Sequence, residues 1–379
     1  MKSYAVKDLN PGMITADSIY SKKGQLILDS GTSLTPALIS RLSFYGIESA
    51  TIQIANSDVP SNTPVVPSNT PVVPSNTPVV PLGNVRNPSY SQRVKQRPEF
   101  MNFQISYSKE LDSLQNSFDF LSQENQTIDV TQILAQTSTL AKESFTTIEL
   151  FDMLHNLRQI NDSIYAHCLN VSLICHTMGE WMHFSEYDLE QLTLAGLLHD
   201  IGKTALPKEI LDKPGKYTNR EYEYVKQHTL LGYKILKDQP LDIRVKRAAL
   251  MHHERSDGSG YPQGLIDENI DSFAQIVAIA DVYDAMTAAR SYRAPLCPFQ
   301  VITAFETEGL QKYHPEYILT FLEHIANTYQ HNRVLLSNGH SATIVMINSK
   351  NLTKPMIQLD DKSILDMVSR PDLEIIKII

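Results

Sequence analysis

The chain has 379 residues, which at about 150 residues per domain predicts two or three folded units. Hydrophobic residues make up 42% and charged residues 20%, as in an ordinary water-soluble protein. No apolar run approaches the roughly 18 residues that a membrane helix needs, so we expect no membrane partner. The formal charge of −9 argues against a long nucleic acid as the partner, but it does not exclude a small phosphate ligand in a local basic pocket.

The three cysteines are Cys168, Cys175 and Cys297, which are too few for a disulfide framework and lack the C-x-x-C spacing of a thiolate metal site. They are interpreted as small buried hydrophobic residues in a reducing compartment. The first eight residues are mixed polar and lack the apolar core of a signal peptide. We therefore expect a cytoplasmic protein.

Residues 1–55 are predicted to form a small α+β unit. Alternating runs at 14–20 and 25–28 predict strands, a helix is predicted from Leu34 to Gly46, and 49–54 is typical of a last strand. No motif in this unit indicates a catalytic site.

Residues 56–100 are predicted to be a proline-rich linker. Between Pro60 and Pro81 the sequence PSNTPVV occurs three times without interruption, and proline in every repeat opposes both helix and sheet. The polar segment from Asn84 to Pro98 carries several cationic residues. It is interpreted as solvated linker, with a docking or nucleic-acid patch as the alternative.

Helical periodicity begins after Phe100 and persists to about residue 330. Helices are predicted at 104–123, 129–145, 147–160, 162–183, in a segment ending at His199, and at 240–253, 272–289, 298–309 and 315–329. A capping box formed by Thr218 and Glu221 is expected to open the helix that carries His228. Residues 331–379 are predicted to be a small β-rich extension, with strands at 333–336, 342–348 and 356–359.

A helix end is predicted to present His199 and Asp200, because an apolar run leads up to them. Such a pair is by itself more often a capped helix end than a metal site. Here, further histidines and acids recur about one helix and its return connection apart, the spacing by which a bundle can bring ligands to one end of its core. These further candidates are His167, His228, His252, His253 and Asp281.

Imidazoles and carboxylates without thiolates suit Fe, Mn or Zn. A carboxylate that bridges, as Asp200 could, permits two metals about 3.5–4 Å apart. Such a pair can share and deprotonate a water that attacks phosphorus in line.

Three motifs make a specific resemblance: residues 199–203 (HDIGK), 252–262 (HHERSDGSGYP) and 280–287 (ADVYDAMT). Over residues 104–330 the chain resembles the HD-GYP family of cyclic dinucleotide phosphodiesterases, and the GYP segment separates it from the wider HD superfamily. The resemblance implies a helical bundle. The expected fold is therefore mainly α, an HD-type helical bundle (101–330) with a small α+β N-terminal unit, a proline-rich linker and a short β-rich C-terminal tail.

The resemblance also implies two divalent transition metal ions, Fe or Mn in the first place, with Zn, Mg or Ni as alternatives. One ion would be held by His167, His199, Asp200 and Asp281, and the second by Asp200, His228, His252 and His253. Some family members bind a third metal through a glutamate four residues before the first histidine. This chain has Ser163 there, so two ions are expected.

Catalysis is assigned by the resemblance to Asp200 and Lys203. The expected substrate contacts are Lys203, Arg290, Arg293, Gly260 and Tyr261, since fixed positive charge suits phosphate. Asp284 is left open between orienting a ligand and bonding metal. Gln275 and Ser291 depart from the arginine and the proline common in the family, which puts substrate preference in doubt more than activity.

The resemblance implies hydrolysis of cyclic di-GMP to linear pGpG, with continuation to GMP left open. The alternatives are another cyclic dinucleotide such as cyclic GMP-AMP, a broader HD-type nucleotide phosphohydrolase, or a catalytically idle module that binds the dinucleotide. Apart from the cyclic dinucleotide, the partners considered are GGDEF-type or other signalling proteins, reached through the GYP loop or the N-terminal unit, and a second copy of the chain as a homodimer.

Overall fold

A computed structural model describes most of the chain outside the proline-rich linker. The described residues are 2–20, 26–34, 38–39, 42, 47–53, 94–121, 130–142, 147–157, 163–213, 215–288 and 295–379. Among them, no helix combines the length and apolar character that a membrane crossing requires. The chain divides into two compact units, 1–89 and 90–379. The repeat predicted to be a spacer lies outside the described residues.

The first unit contains two short antiparallel ladders. Strand β1 (Lys2–Ala5) pairs with β4 (Ser49–Ile52), and β2 (Ile19–Tyr20) pairs with β3 (Leu26–Leu28). Leu42 is helical and fully buried, as the predicted helix requires. The core residues are Val6, Leu9, Leu28, Leu34, Leu42, Ala50 and Ile52. Strand β1 was not predicted, because its side chains are exposed or half-buried and show no apolar alternation.

The second unit is mainly helical, which confirms the predicted fold class. The α-helices of its described residues are α1 (Pro98–Leu121), α2 (Val130–Lys142), α3 (Thr147–Leu157), α4 (Ile164–Trp181), α5 (Glu186–Leu198), α6 (Lys208–Leu211), α7 (Asn219–Val225), α8 (His228–Leu236), α9 (Ile243–Met251), α10 (Ser272–Thr287), α11 (Pro298–Ala304), α12 (Leu310–Lys312) and α13 (Pro315–Thr328). Short 3₁₀ turns cover Ile201–Ala205 and Asp267–Asn269, and a π-helical turn covers Phe305–Gly309.

Four central helices begin at a side chain that accepts a backbone N–H from the first turn. The caps of α4, α5, α9 and α10 are Ser163, Ser185, Asp242 and Asp271. Each such cap contributes about 1 kcal/mol and fixes where its helix starts. These four helices therefore have defined starting points in the sequence.

The centre of the bundle is made by α4, α5, α8, α9 and α10. Helix α4 packs against α5 and α10, and α9 packs against α5, α8 and α10. The runs 166–179 in α4 and 273–281 in α10 are buried at every position. A helix surrounded in this way is apolar on all faces, and any polar residue in it needs a partner inside the core.

The expectation that one helix runs from the capping box to His228 was wrong. Both halves of the box form between Thr218 and Glu221, but α7 ends at Val225, and His228 begins α8. The Val225 carbonyl accepts a hydrogen bond from Nδ1 of His228 at 2.7 Å. That carbonyl is the one that would continue the helix, so the histidine side chain replaces the next helical bond.

The C-terminal sheet has five antiparallel strands in the order β8-β7-β6-β5-β9. The strands are β5 (Arg333–Leu336), β6 (Ser341–Met346), β7 (Met356–Leu359), β8 (Ile364–Asp366) and β9 (Ile375–Ile378). The first three correspond to the predicted strands, while β8 and β9 were not predicted. The division expected near residue 330 lies inside the second compact unit and stays a prediction.

Candidate metal centre

Seven ligand-type side chains converge at helix ends and in the buried middle of α10. His167 lies in the first turn of α4, His199 and Asp200 follow α5, His228 begins α8, His252 and His253 follow α9, and Asp281 lies within α10. All are buried except His253, which is half-buried. The structure thus brings together every residue that the sequence suggested as a metal ligand.

These residues form two groups on either side of one carboxylate. We call the set that contains Asp281 the carboxylate group; it consists of His167, His199 and Asp281. We call the other set, His228, His252 and His253, the imidazole group. The ligand atoms of the first group lie within 4.8 Å of one another, and so do those of the second group together with Asp200. Each group has the density of donor atoms that a metal ion requires.

Asp200 points one oxygen at each group. Its Oδ2 lies 3.4 Å from Nε2 of His199 and 3.6 Å from Nε2 of His167. Its Oδ1 lies 3.3 Å from Nε2 of His228 and 3.7 Å from Nε2 of His252. This disposition allows one carboxylate to bind two ions at once.

Three histidines are oriented by the backbone of the turn that precedes them. His199 Nδ1 donates to the Gly196 carbonyl at 2.8 Å, His228 Nδ1 to that of Val225 at 2.7 Å, and His252 Nδ1 to that of Ala248 at 3.0 Å. With the proton on Nδ1, the lone pair of Nε2 is free to bind a cation.

His167 is oriented differently, by a carboxylate. Its Nδ1 lies 2.8 Å from Oδ2 of Asp284, and its Nε2 lies 3.1 Å from Oδ1 of Asp281. Burial alone would lower the pKa of His167, but the bonds to Asp281 and Asp284 outweigh it and raise the pKa to about 9. Asp284 therefore makes the contact of an orienting residue, one of the two roles left open from the sequence.

The imidazole group is electrically neutral. Burial lowers the pKa of His228 to about 4 and holds the pKa values of His252 and His253 well below the usual value. For Asp200 burial would raise the pKa, but Lys203 and His199 outweigh it and keep the carboxylate ionised. The group therefore offers unprotonated nitrogen donors around a charged oxygen.

Lys203 brings positive charge to the same place. Its Nζ donates to Oδ2 of Asp200. Burial alone would lower the pKa of Lys203, but Asp200 and Asp281 outweigh it and raise the pKa. Gly202, just before it, has no room for a Cβ, which would lie 1.9 Å from the His228 carbonyl. This contact brings the 3₁₀ turn close to the start of α8.

The GYP loop closes over the imidazole group. The ring of Tyr261 stacks on His253 with centroids 4.6 Å apart, and its N–H donates to the His253 carbonyl at 3.1 Å. A Cβ on Gly260 would lie 2.4 Å from Cα of Glu254, so only glycine fits. The buried Glu254 carboxylate accepts from the N–H groups of Gln263 and Leu265 at 2.7 and 2.9 Å.

The donor set fits a pair of divalent ions. Nε2 of His199 and Oδ1 of Asp200 are buried and have no hydrogen-bond partner among the described residues. Leaving such atoms unsatisfied is costly unless something else binds them. Since both residues belong to the two sets of donors, and the donors are nitrogen and oxygen, the residues suit first-row divalent metals.

A match to the HD domain family covers residues 114–317, more than half of the chain. The chain belongs to the HD domain family. This HD domain is 37% identical over 191 residues to a cyclic di-GMP phosphodiesterase of Thermotoga maritima, covering 48% of this chain and 52% of that protein. It is 31% identical over 207 residues to a cyclic di-GMP phosphodiesterase of Pseudomonas aeruginosa, covering 54% and 50%.

A further relative of the HD domain is a 3'3'-cGAMP-specific phosphodiesterase of Vibrio cholerae, 35% identical over 161 residues, covering 42% of this chain and 31% of that protein. The chain spans about half or less of the length of these curated relatives. Among solved structures, an HDG"Y"P protein from Bdellovibrio bacteriovorus has a similar fold, with a TM-score of 0.55 and 14% identity, covering 86% of this chain and 99% of that one. The HD-GYP resemblance is thereby confirmed.

The other residues singled out from the sequence of the HD domain lie elsewhere in the structure or outside the described residues. Arg290, Arg293 and Ser291 lie outside the described residues. Gln275 is buried and donates to the backbone and side chain of Asp267 at 2.9 and 3.0 Å. Ser163 accepts the N–H of Ala166 and caps α4. The substrate contacts proposed for Gly260 and Tyr261 stay predictions, although both lie beside His253.

Sequence reasoning assigned no role to Glu254, although the residue stands in the motif. An acid directly before a glycine-rich loop is a signal that could have found it, because such loops leave backbone N–H groups without strand or helix partners. Here the Glu254 carboxylate accepts hydrogen bonds from two of these N–H groups, those of Gln263 and Leu265.

Proposed function

We propose that this protein is a metal-dependent phosphodiesterase that hydrolyses cyclic di-GMP to linear pGpG. The observation that carries the proposal is the position of Asp200, whose two oxygens face two separate groups of histidines. A second cleavage would convert pGpG to GMP, so GMP is the further product to be sought. The similarity to cyclic di-GMP phosphodiesterases in two bacteria supports this choice of substrate.

Two divalent ions, Fe or Mn in the first place, fit the proposed centre. One would be held by His167, His199, Asp200 and Asp281, the other by Asp200, His228, His252 and His253. When bound, such ions polarise a phosphoryl oxygen and lower the pKa of water so that it can attack phosphorus. The carbonyl-bound histidines keep their Nε2 atoms directed inward, so these donors need little rearrangement to bind.

The remaining residues handle the charge and position of the phosphodiester. Lys203 keeps a cation beside Asp200, where it stabilises the negative charge that grows on the phosphoryl oxygens. Gly260 and Tyr261 form a lip over the imidazole group that contacts the substrate. Arg290 and Arg293, which follow the helix of Asp281, are proposed to clamp a phosphate.

Cyclic GMP-AMP is the second candidate substrate. The specific observation in its favour is the 35% identity to a 3'3'-cGAMP-specific phosphodiesterase of Vibrio cholerae. A role as an idle binding module is less well supported, because none of the seven ligand positions carries a residue unable to bind metal.

The test is to incubate the purified, metal-loaded chain with cyclic di-GMP, 3'3'-cGAMP and cyclic di-AMP in parallel, and to separate the products by chromatography. We expect pGpG from cyclic di-GMP at the highest kcat/KM, and no product after treatment with a chelator. If 3'3'-cGAMP is cleaved with a higher kcat/KM than cyclic di-GMP, then 3'3'-cGAMP is the preferred substrate. Binding without cleavage of any of them would make the protein a binding module.

A further inference from the structure

Lys226 lies between two tyrosine rings at the edge of the imidazole group. Its Nζ is 4.9 Å from the ring centroid of Tyr222 and 5.3 Å from that of Tyr261. Both distances are within the roughly 6 Å over which a cation is attracted to an aromatic face. Oε1 of Glu223 accepts a hydrogen bond from the same Nζ at 2.7 Å. Three neighbours thus hold the ammonium group.

Tyr261 connects this cation to the metal centre. Its ring stacks on His253 at an interplanar angle of 25°, and its N–H donates to the carbonyl of the same histidine. A continuous series of contacts therefore runs from Tyr222 through Lys226 and Tyr261 to His253. The outermost member, Tyr222, is 46% exposed, so the series reaches from solvent to a candidate ligand.

The backbone of Lys226 also lies at the joint between α7 and α8. The residue is the C-cap of α7, and its carbonyl accepts from the Thr229 hydroxyl at 3.0 Å in the first turn of α8. Helix α8 begins with the candidate ligand His228. One residue thus contacts the GYP loop through its side chain and the start of a ligand helix through its backbone.

We propose that Lys226 is a positioning residue, which holds the Tyr261 ring against His253 and so keeps the GYP loop in place over the imidazole group. Lys226 acts through Tyr261 and needs no contact with the substrate. The kinetic consequence rests on the proposed function, whereas the effect on the loop does not.

The first test compares Lys226→Met, which removes the charge, with Lys226→Arg, which keeps a cation. For the methionine variant we expect kcat/KM for cyclic di-GMP to fall about 3- to 30-fold, the range that follows from losing cation–π attraction at one or two rings. Lys226→Arg should retain most of the kcat/KM that Lys226→Met loses. In both variants the metal content and the melting temperature should equal those of the wild type. Lys234→Met is the matched control, since Lys234 is an exposed lysine on α8, and it should change nothing.

A second pair of variants separates positioning from direct contact with substrate. Tyr222→Leu removes an aromatic face and should lower kcat/KM, whereas Tyr222→Phe should not. The Lys226→Met, Tyr222→Leu double variant should be little worse than Lys226→Met alone, because both changes act on the same ring. If Tyr222→Leu matches the wild type while Lys226→Met is impaired, Lys226 touches the substrate directly and the proposal is wrong.

Hydrogen exchange tests the loop without any substrate. The Tyr261 amide donates to the His253 carbonyl, so a loosened ring should let this amide exchange faster in Lys226→Met than in Lys226→Arg or in the wild type. Failure of the wild type to cleave any cyclic dinucleotide would refute the proposed function and leave this measurement valid. Unchanged exchange in Lys226→Met would refute the positioning role.

Discussion

The two halves of the candidate metal centre have different donor groups around the one residue they share. The carboxylate group has Asp281 as a candidate ligand and Asp284 behind His167. The imidazole group contains three neutral rings, and its negative charge comes from Asp200 alone among its candidate ligands. Because more carboxylates surround the first position, a divalent cation that displaces the proton of His167 should be held there more tightly. The centre is thus chemically asymmetric.

The most severe way to break the centre is to remove its shared residue. Asp200→Ala should lower hydrolysis of cyclic di-GMP on the order of 10³-fold or more, equivalent to about 4 kcal/mol of barrier, because both groups lose a ligand. Bound metal, measured by elemental analysis, should fall in the same variant. Wild-type turnover in Asp200→Ala would rule out the shared carboxylate.

Substitutions within single groups test the asymmetry directly. His252→Ala and Asp281→Ala should each lower bound metal from about two ions per chain to about one. The ion that remains in His252→Ala should resist a chelator longer than the one that remains in Asp281→Ala, since it sits among carboxylates. Equal release from both variants would mean that the difference in charge does not set affinity.

Asp284→Asn sharpens the comparison, because Oδ2 of Asp284 contacts Nδ1 of His167, a member of the carboxylate group. An amide in place of the carboxylate should weaken metal binding to that group about 10- to 100-fold, the usual effect of altering a residue that orients a ligand. A competition titration would measure it. The affinity of the imidazole group should not change, and a loss at both positions would contradict the separate roles.

The last expected effect is on stability and concerns the loop over the imidazole group. Glu254→Gln replaces one of the two acceptor oxygens facing Gln263 and Leu265 with an N–H₂ group. The loss of one hydrogen bond to a charged acceptor should lower the free energy of unfolding by about 1.5–3 kcal/mol. Denaturant titration gives this value. Metal content, checked in parallel, should stay at the wild-type level; lost metal would place Glu254 among the groups that hold the ions.

Five of the candidate ligands stand in the three motifs, and the resemblance that these motifs carry implies the other two, His167 and His228. The groups that orient these ligands could not be predicted. The acceptors for His199, His228 and His252 are backbone carbonyls, which carry no side-chain signature. Asp284 stayed undecided because residues three apart on a helix share a face, so the same spacing suits a ligand and an orienting residue.

The fold was predictable where burial is one-sided and periodic, as in α13, or where turns are explicit, as around Gly339. It was not predictable where a side chain competes with the backbone, as His228 does when it ends α7. Strands β1 and β8 were missed because each has exposed or half-buried residues throughout, so no apolar alternation marks them. Tertiary pairing forms such strands, and a local pattern does not report it.

The backbone bonds of His199, His228 and His252 have a consequence for how the protein tolerates mutation. A side chain that orients a ligand can be lost by a single substitution, whereas a main-chain carbonyl is supplied by whichever residue occupies the position. Val225 and Ala248 could be exchanged without removing an acceptor, provided the new side chain fits, whereas a Cβ at Gly196 would lie 2.8 Å from Cα of Ser172. His167 has no such protection, because it depends on Asp284. In a saturation mutagenesis screen, the effect of substitutions at Gly196, Val225 and Ala248 should depend on the size of the new side chain. At Asp284 the effect should depend on whether the new side chain accepts a hydrogen bond from His167.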